Sequence, residues 1–363
     1  EDAPPSKSAP PPSPRSSWFP RRFVANCLNG PSPTLRPVRL LASLSLSRRK
    51  VTMFAFGKQG ERIVIEFDGE ASRPKRTLSP GNPQAPVLPV FQASEVVSGK
   101  VEIRNPPGKK VEHMGVKIEL IGQIEMFYDR GNFHDFASLV LELAPPGLML
   151  RDETFPFDFG NVDKPHESYN GLNVRLRYFV RVTVTRNYTS GNMIKEQDFI
   201  TEIVQPPPEV NSTIKMEVGI EECLHIEFEY DKTKYELADI IIGKVYFLLV
   251  RIKIKHMELA VIRREAAGTG PNQYNESETI TKFEVMDGAP VRGECIPIRL
   301  FLSNYNVTPT YRNIANKFSV KYYVNLVLVD QEERRYFKQQ EITLFRARPS
   351  EKDKNPPAPL AAK

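Results

Sequence analysis

With 363 residues, 40% of them apolar, the chain has enough material for two domains, each with its own hydrophobic core. Its formal charge of +6 is unevenly spread: residues 1–52 hold nine basic and two acidic side chains, leaving 41 basic against 42 acidic over the rest, and so balanced a body argues against nucleic-acid binding. Three widely spaced cysteines, Cys27, Cys223 and Cys295, imply no disulfide framework and suggest a reducing compartment, while the longest apolar run, 240–254, is broken by Gly243, Lys244, Arg251 and Lys253 and cannot span a bilayer.

In chain order, residues 1–52 come first, with ten prolines, nine serines and an isolated Trp18, a composition that cannot bury a core and is expected to be disordered. Met53 stands directly before the first patterned segment, so a second expectation is that 1–52 are a leader the mature protein lacks. Strand patterns follow at 63–67, 117–121, 174–185, 224–230, 244–254 and 318–329, rich in Val, Ile, Tyr and Phe. In the third of these, Val174, Leu176, Tyr178, Val180, Val182 and Val184 alternate with Arg175, Arg177, Arg181 and Thr183, as in an antiparallel strand with one wet face. Phe136, Leu139, Val140 and Leu143 predict one short amphipathic helix over 133–143. The proline-rich 74–89 reads as a disordered loop, and Gln205-Pro206-Pro207-Pro208-Glu209 as an extended linker between domains 53–205 and 206–348. Residues 349–363 read as a disordered tail.

The two domains are related. Gly99-Lys100-Val101 recurs as Gly243-Lys244-Val245, and the 174–180 segment recurs at 318–324, both at a separation of 144 residues; His113 is answered by His256. A period this long means a duplicated domain rather than a solenoid. Many short strands with Pro/Gly turns then predict an all-β chain of two tandem β-sandwiches.

Chemistry is sparse. Five histidines, His113, His134, His166, His225 and His256, are all the imidazole available, no Ser or Cys stands in a nucleophile context, and no glycine loop cradles phosphate. Cys223, His225, Glu227 and Glu229 share one face of a strand, but spacing of about 7 Å between alternate residues is too wide for one tetrahedral zinc ion. No stretch has the apolar core of a signal peptide, so the glycosylation triplets at Asn187, Asn211, Asn275 and Asn306 read as chance matches. Two segments look like recognition elements instead. Val285 and Met286 are adjacent apolar residues that one strand cannot send into the same core unless it ends there, so next to Asp287 and Gly288 they read equally as a binding anchor exposed on a loop or as a strand terminus packing one residue inward. The charged turn 330–335 is followed by Tyr336, Phe337 and Lys338, a late strand suited to an exposed edge, which by pattern is either charged to resist aggregation or able to accept an extended peptide.

The stretches 211–230, 243–254, Met286-Asp-Gly-Ala-Pro290 and Arg334-Arg-Tyr-Phe-Lys-Gln-Gln-Glu-Ile342 closely resemble the vacuolar protein sorting-associated protein 26 family, the arrestin-fold subunit of retromer. Glu112-His113, Gly122-Gln-Ile-Glu125 and 173–178 fit as well, and the resemblance runs from Met53 to about Arg346. It implies arrestin-like sandwiches, no catalysis and no cofactor. The family is a cytosolic adaptor, associated only indirectly with the cytosolic face of endosomes, that serves retrograde and recycling transport. The implied partners are retromer's helical-repeat scaffold subunit at Val285, Met286, Asp287 and Gly288, and cargo tails and sorting nexins at Arg335, Tyr336, Phe337 and Lys338. Residues 1–52 and 74–89 depart from the family, and Ala93 stands where some members carry an acid that engages a PDZ-containing sorting nexin. The alternative within the adaptor class is an arrestin-type receptor regulator outside retromer, without the PPxY motif of its ligase-linked branch.

Overall fold

The computed structural model describes residues 62–348 apart from 106–107, 109, 130, 161, 189, 221, 269 and 271–272. The expectations for 1–52 and 349–363 lie outside the described residues. The first half folds as β1 (Ile63–Phe67), β2 (Lys75–Arg76), β3 (Leu88–Gln92), β4 (Ser98–Ile103), β5 (Val111–His113), β6 (Gly115–Met126), β7 (Phe133–Ala144), β8 (Gly147–Met149), β9 (Glu153–Asp158), β10 (Tyr169–Asn170), β11 (Val174–Thr185) and β12 (Met193–Glu202). The second half follows with β13 (Ile214–Ile220), β14 (Leu224–Tyr230), β15 (Lys234–Glu236), β16 (Ile240–Val250), β17 (Ile254–Ala267), β18 (Tyr274–Asp287), β19 (Cys295–Phe301), β20 (Tyr311–Ile314), β21 (Phe318–Asp330) and β22 (Arg335–Phe345).

Each half pairs a large sheet with a small one. The large sheets run β2-β3-β12-β11-β6-β7 and β15-β22-β21-β17-β18, and the small ones β1-β4-β9 and β13-β14-β16-β19. The sequence repeat is thus a repeat of strand positions. Gly99 on β4 and Gly243 on β16 answer each other because both allow close packing: a Cβ at Gly99 would fall on the Glu66 carbonyl, and one at Gly243 would sit 2.6 Å from the Glu229 carbonyl. This all-β architecture is consistent with an arrestin-like fold.

Burial follows alternation. On β11 every even position from Val174 to Val184 is fully covered. The opposite face is less wet than its arginines suggest: Phe179 is also fully buried, roofed by the Arg177 guanidinium 3.9 Å from its ring centroid and by Arg181 at 5.2 Å.

Three sequence expectations need correction. Residues 133–143 form no helix; they lie in β7, paired with β6 over Phe133–Ala144. Two extra residues on this edge strand, Phe136 and Leu143, fall where the register shifts, and the resulting offset of apolar positions imitates a helical stripe. Leu302–Asn304 forms a single 3-10 turn. The 74–89 stretch is not a free loop either: Lys75 and Arg76 pair with Pro89 and Leu88, and Asn170 Nδ2 donates to Ser79 Oγ at 2.7 Å. Finally, the strand expected over 244–254 is not one strand: β16 ends at Val250, and Ile254 begins β17 in the other sheet.

The two halves meet through a polar junction. Glu265 of β17 is 2% exposed and enters the turn after β10, where its carboxylate accepts from the Tyr169 hydroxyl at 2.7 Å, Leu172 N at 3.1 Å and Asn173 N at 2.6 Å. Arg346 reaches Glu167 at 2.6 Å, and Tyr311 donates to the Ser168 carbonyl at 3.3 Å. Burial pushes the Glu167 carboxyl upward, against the pull of Arg346. A cleft of about 560 Å³ lies beside this junction, and Arg346 and Arg76 on its wall are both engaged by Glu202. Among the described residues no helix is long and apolar enough to cross a membrane, and no three His, Cys, Asp or Glu residues are grouped to hold a metal ion.

Candidate protein-interaction site

The two segments singled out in the sequence lie far apart in the chain, yet the register of one sheet aligns them. Asp287 on β18 pairs with His256 on β17, His256 with Val329 on β21, and Val329 with Arg335 on β22. The next row runs Met286, Met257, Leu328 and Tyr336. Three strand spacings, roughly 14 Å, separate the outer members of each row. Both segments therefore occupy one end of one sheet.

Val285 and Met286 sit in the last turn of the ladder, within β18 and not on a loop. Met257 pairs with Met286 and Glu258 with Glu284, so Val285 is an extra residue, a β-bulge. The bulge answers the puzzle of two adjacent apolar side chains: it re-aims Val285 so that both it and Met286 pack partly buried against the core. They are half-covered rather than freely exposed. Asp287 is exposed, and Gly288 follows with φ +98°, its N–H donating to the Lys255 carbonyl at 2.7 Å. That left-handed backbone favours glycine there.

The other segment is built on Asp330, which is 2% exposed. Its carboxylate accepts from Glu332 N and Arg334 N, both at 2.9 Å, from Arg334 Nε at 2.7 Å and from the Tyr336 hydroxyl at 3.0 Å. Burial works against the charged form, but these donors outweigh it and hold the Asp330 carboxyl below its ordinary range. The lowered value means stabilisation that is present above the unfolded pKa of about 3.9 and lost as pH falls through the folded one. Asp330→Asn is therefore expected to cost about 1–3 kcal/mol at pH 7, and the difference from wild type should shrink steadily as pH is lowered below about 3.9 when both are melted in parallel.

From this turn β22 departs with Tyr336 turned into the core at 5% exposure and Phe337 outward at 63%. β15 joins β22 only at Thr343–Phe345, so the edge over 335–340 has no strand beside it among the described residues. Arg335 is exposed and Lys338 half-buried along the same open edge. An open edge with an exposed aromatic ring can take an extended peptide by strand addition.

Lys255 links the two segments, since its carbonyl holds Gly288 while its Nζ pairs with Glu333 of the turn at 2.5 Å. Sequence pattern alone missed this lysine, because its contacts depend on cross-strand register. Of the strand face considered for zinc, His225 and Glu227 approach to 4.0 Å, an ordinary pair on the solvent side of β14.

A family model described as vacuolar protein sorting-associated protein 26 matches residues 57–333. Similar proteins include vacuolar protein sorting-associated protein 26B-like of Danio rerio, 57% identical over 82% of this chain and 89% of its own length. The protein named 26B in Arabidopsis thaliana is 58% identical over 78% of this chain and 93% of its own, and that of Homo sapiens 55% over 82% and 88%. With its sheets, its repeat and its family match in agreement, the chain belongs to the vacuolar protein sorting-associated protein 26 family.

Proposed function

We propose that this chain is a non-catalytic adaptor subunit of the retromer cargo-selective complex, acting in retrograde endosome-to-Golgi and recycling transport. Members of the family are protein-sorting subunits and not enzymes, and that much follows from membership. The observation that carries the finer reading is the convergence of two recognition elements on one sheet end. In this reading Val285, Met286, Asp287 and Gly288 meet the helical-repeat scaffold subunit, while Arg335, Tyr336, Phe337 and Lys338 receive cargo tails together with sorting nexins. It works in the cytoplasm and reaches the cytosolic face of endosomes through those partners.

Co-purification of the full chain with the scaffold subunit tests the reading directly, and failure to form a complex at micromolar concentration would sink it. The peptide edge has its own test. Phe337 is largely exposed, so Phe337→Ser should leave thermal stability unchanged while weakening a cargo-tail peptide by roughly tenfold in a titration. Equal affinities for the two proteins would remove Phe337 from the cargo site.

A further inference from the structure

A bulge frees the Val285–Met286 pair to share one side of the sheet, but it also interrupts the ladder that holds the end of β18 in place. Beyond it Glu258 and Glu284 stand directly opposite each other, a like-charge pair that by itself would push β17 and β18 apart. The structure counters this with a diagonal contact. Glu258 Oε2 takes Lys282 Nζ at 2.9 Å, two positions along β18 from Glu284, while Glu258 Oε1 meets His256 Nε2 at 3.2 Å. The Glu258 side chain is 15% exposed and that of His256 18%, so this carboxylate is a partly covered group on the face opposite Met257 and Leu259, and with Lys282 it ties the two strands together. Burial raises the cost of its charge, yet donation from Lys282 and His256 leaves its carboxyl lower than ordinary.

We propose that Glu258 is a positioning residue for scaffold recognition: gripping Lys282 of β18 and braced by His256 of its own strand, it fixes the register of β18 where the strand enters the bulge, and with it the shared orientation of Val285 and Met286. The proposal rests on the reading of 285–288 as the scaffold contact. The Lys282 side chain is 49% exposed, and an ion pair with one solvated partner adds little to global stability, so its loss should be felt beside the bulge and hardly in the fold. His256 sits in the same row as Asp287 and Arg335, which places the cluster between the two recognition segments.

The test uses the full chain and the purified scaffold subunit in calorimetric titrations, with thermal unfolding as a check on the fold. Lys282→Met, which keeps the aliphatic stem, and Glu258→Gln should each weaken the scaffold on the order of tenfold with little change in melting temperature. The exchanged pair Glu258→Lys with Lys282→Glu should recover most of that affinity, and amide hydrogen exchange at Val285 and Met286 should be faster in the single variants only. If both single variants bind like wild type while Val285→Asp with Met286→Asn has lost binding, the positioning role is overturned and the scaffold reading stands. If the Val285/Met286 variant binds normally, the scaffold reading falls and this proposal falls with it.

Discussion

Val285→Asp combined with Met286→Asn is expected to weaken scaffold association by at least about 100-fold, the largest effect of any surface change in this chain. The pair is half-buried at the end of β18, already shaped by the bulge, so little ordering cost opposes the use of its apolar surface in binding. Val285→Asp sets a third carboxylate between Glu284 and Asp287, and a partner pocket that desolvates this run must then strip water from charges with no counter-ion. Met286→Asn removes the longer anchor. Because both side chains also touch the core of the second half, some loss of stability accompanies the change, about 1–3 kcal/mol, and binding must be measured below the variant's melting transition. Phe337→Ser serves as the matched control: it lies three strands away and should keep the scaffold. Retention of the complex by the Val285/Met286 variant would disprove the assignment.

The second large effect concerns the junction between the two halves. Glu265→Ala leaves the Tyr169 hydroxyl and the Leu172 and Asn173 amides without their shared acceptor, at a cost of about 3–5 kcal/mol, which corresponds to roughly 10 °C in melting temperature. Gly171→Ala should do comparable damage by the reverse route. A Cβ at Gly171 would fall on Glu265 Oε2 and within 2.6 Å of the Tyr169 hydroxyl, so the carboxylate would have to leave. Calorimetry of the two single variants and the double variant checks this. The double should cost no more than the worse single, because both break the same contact. An unchanged transition in Glu265→Ala would show that the junction is held elsewhere, for instance by Arg346 and Glu167.

Much of this was legible in the sequence for a plain reason. Strand alternation is local: the apolar evens of 174–184 declare a half-buried strand whatever lies beside it, and repetition of such segments at 144 residues declares a duplicated β domain. Where the local pattern was altered by an extra residue, legibility failed. Phe136 and Leu143 made the edge strand β7 read as a helix, and the bulge at Val285 left loop and strand end equally readable. Phe179 was missed for another reason, since its cover is supplied by the stems and guanidiniums of Arg177 and Arg181, residues that alternation assigns to water.

By itself, then, the amino-acid sequence determined the all-β class, the duplication, the family resemblance and the two candidate contact segments, because each is written in residues close together in the chain. Only the tertiary structure decided that those segments share the end of one sheet, that Lys255 and the Glu258 cluster lie between them, and that Glu265 locks one half into the other. Cross-strand register and inter-domain contact join residues separated by tens of positions, and no local periodicity encodes which of many possible partners a side chain will meet.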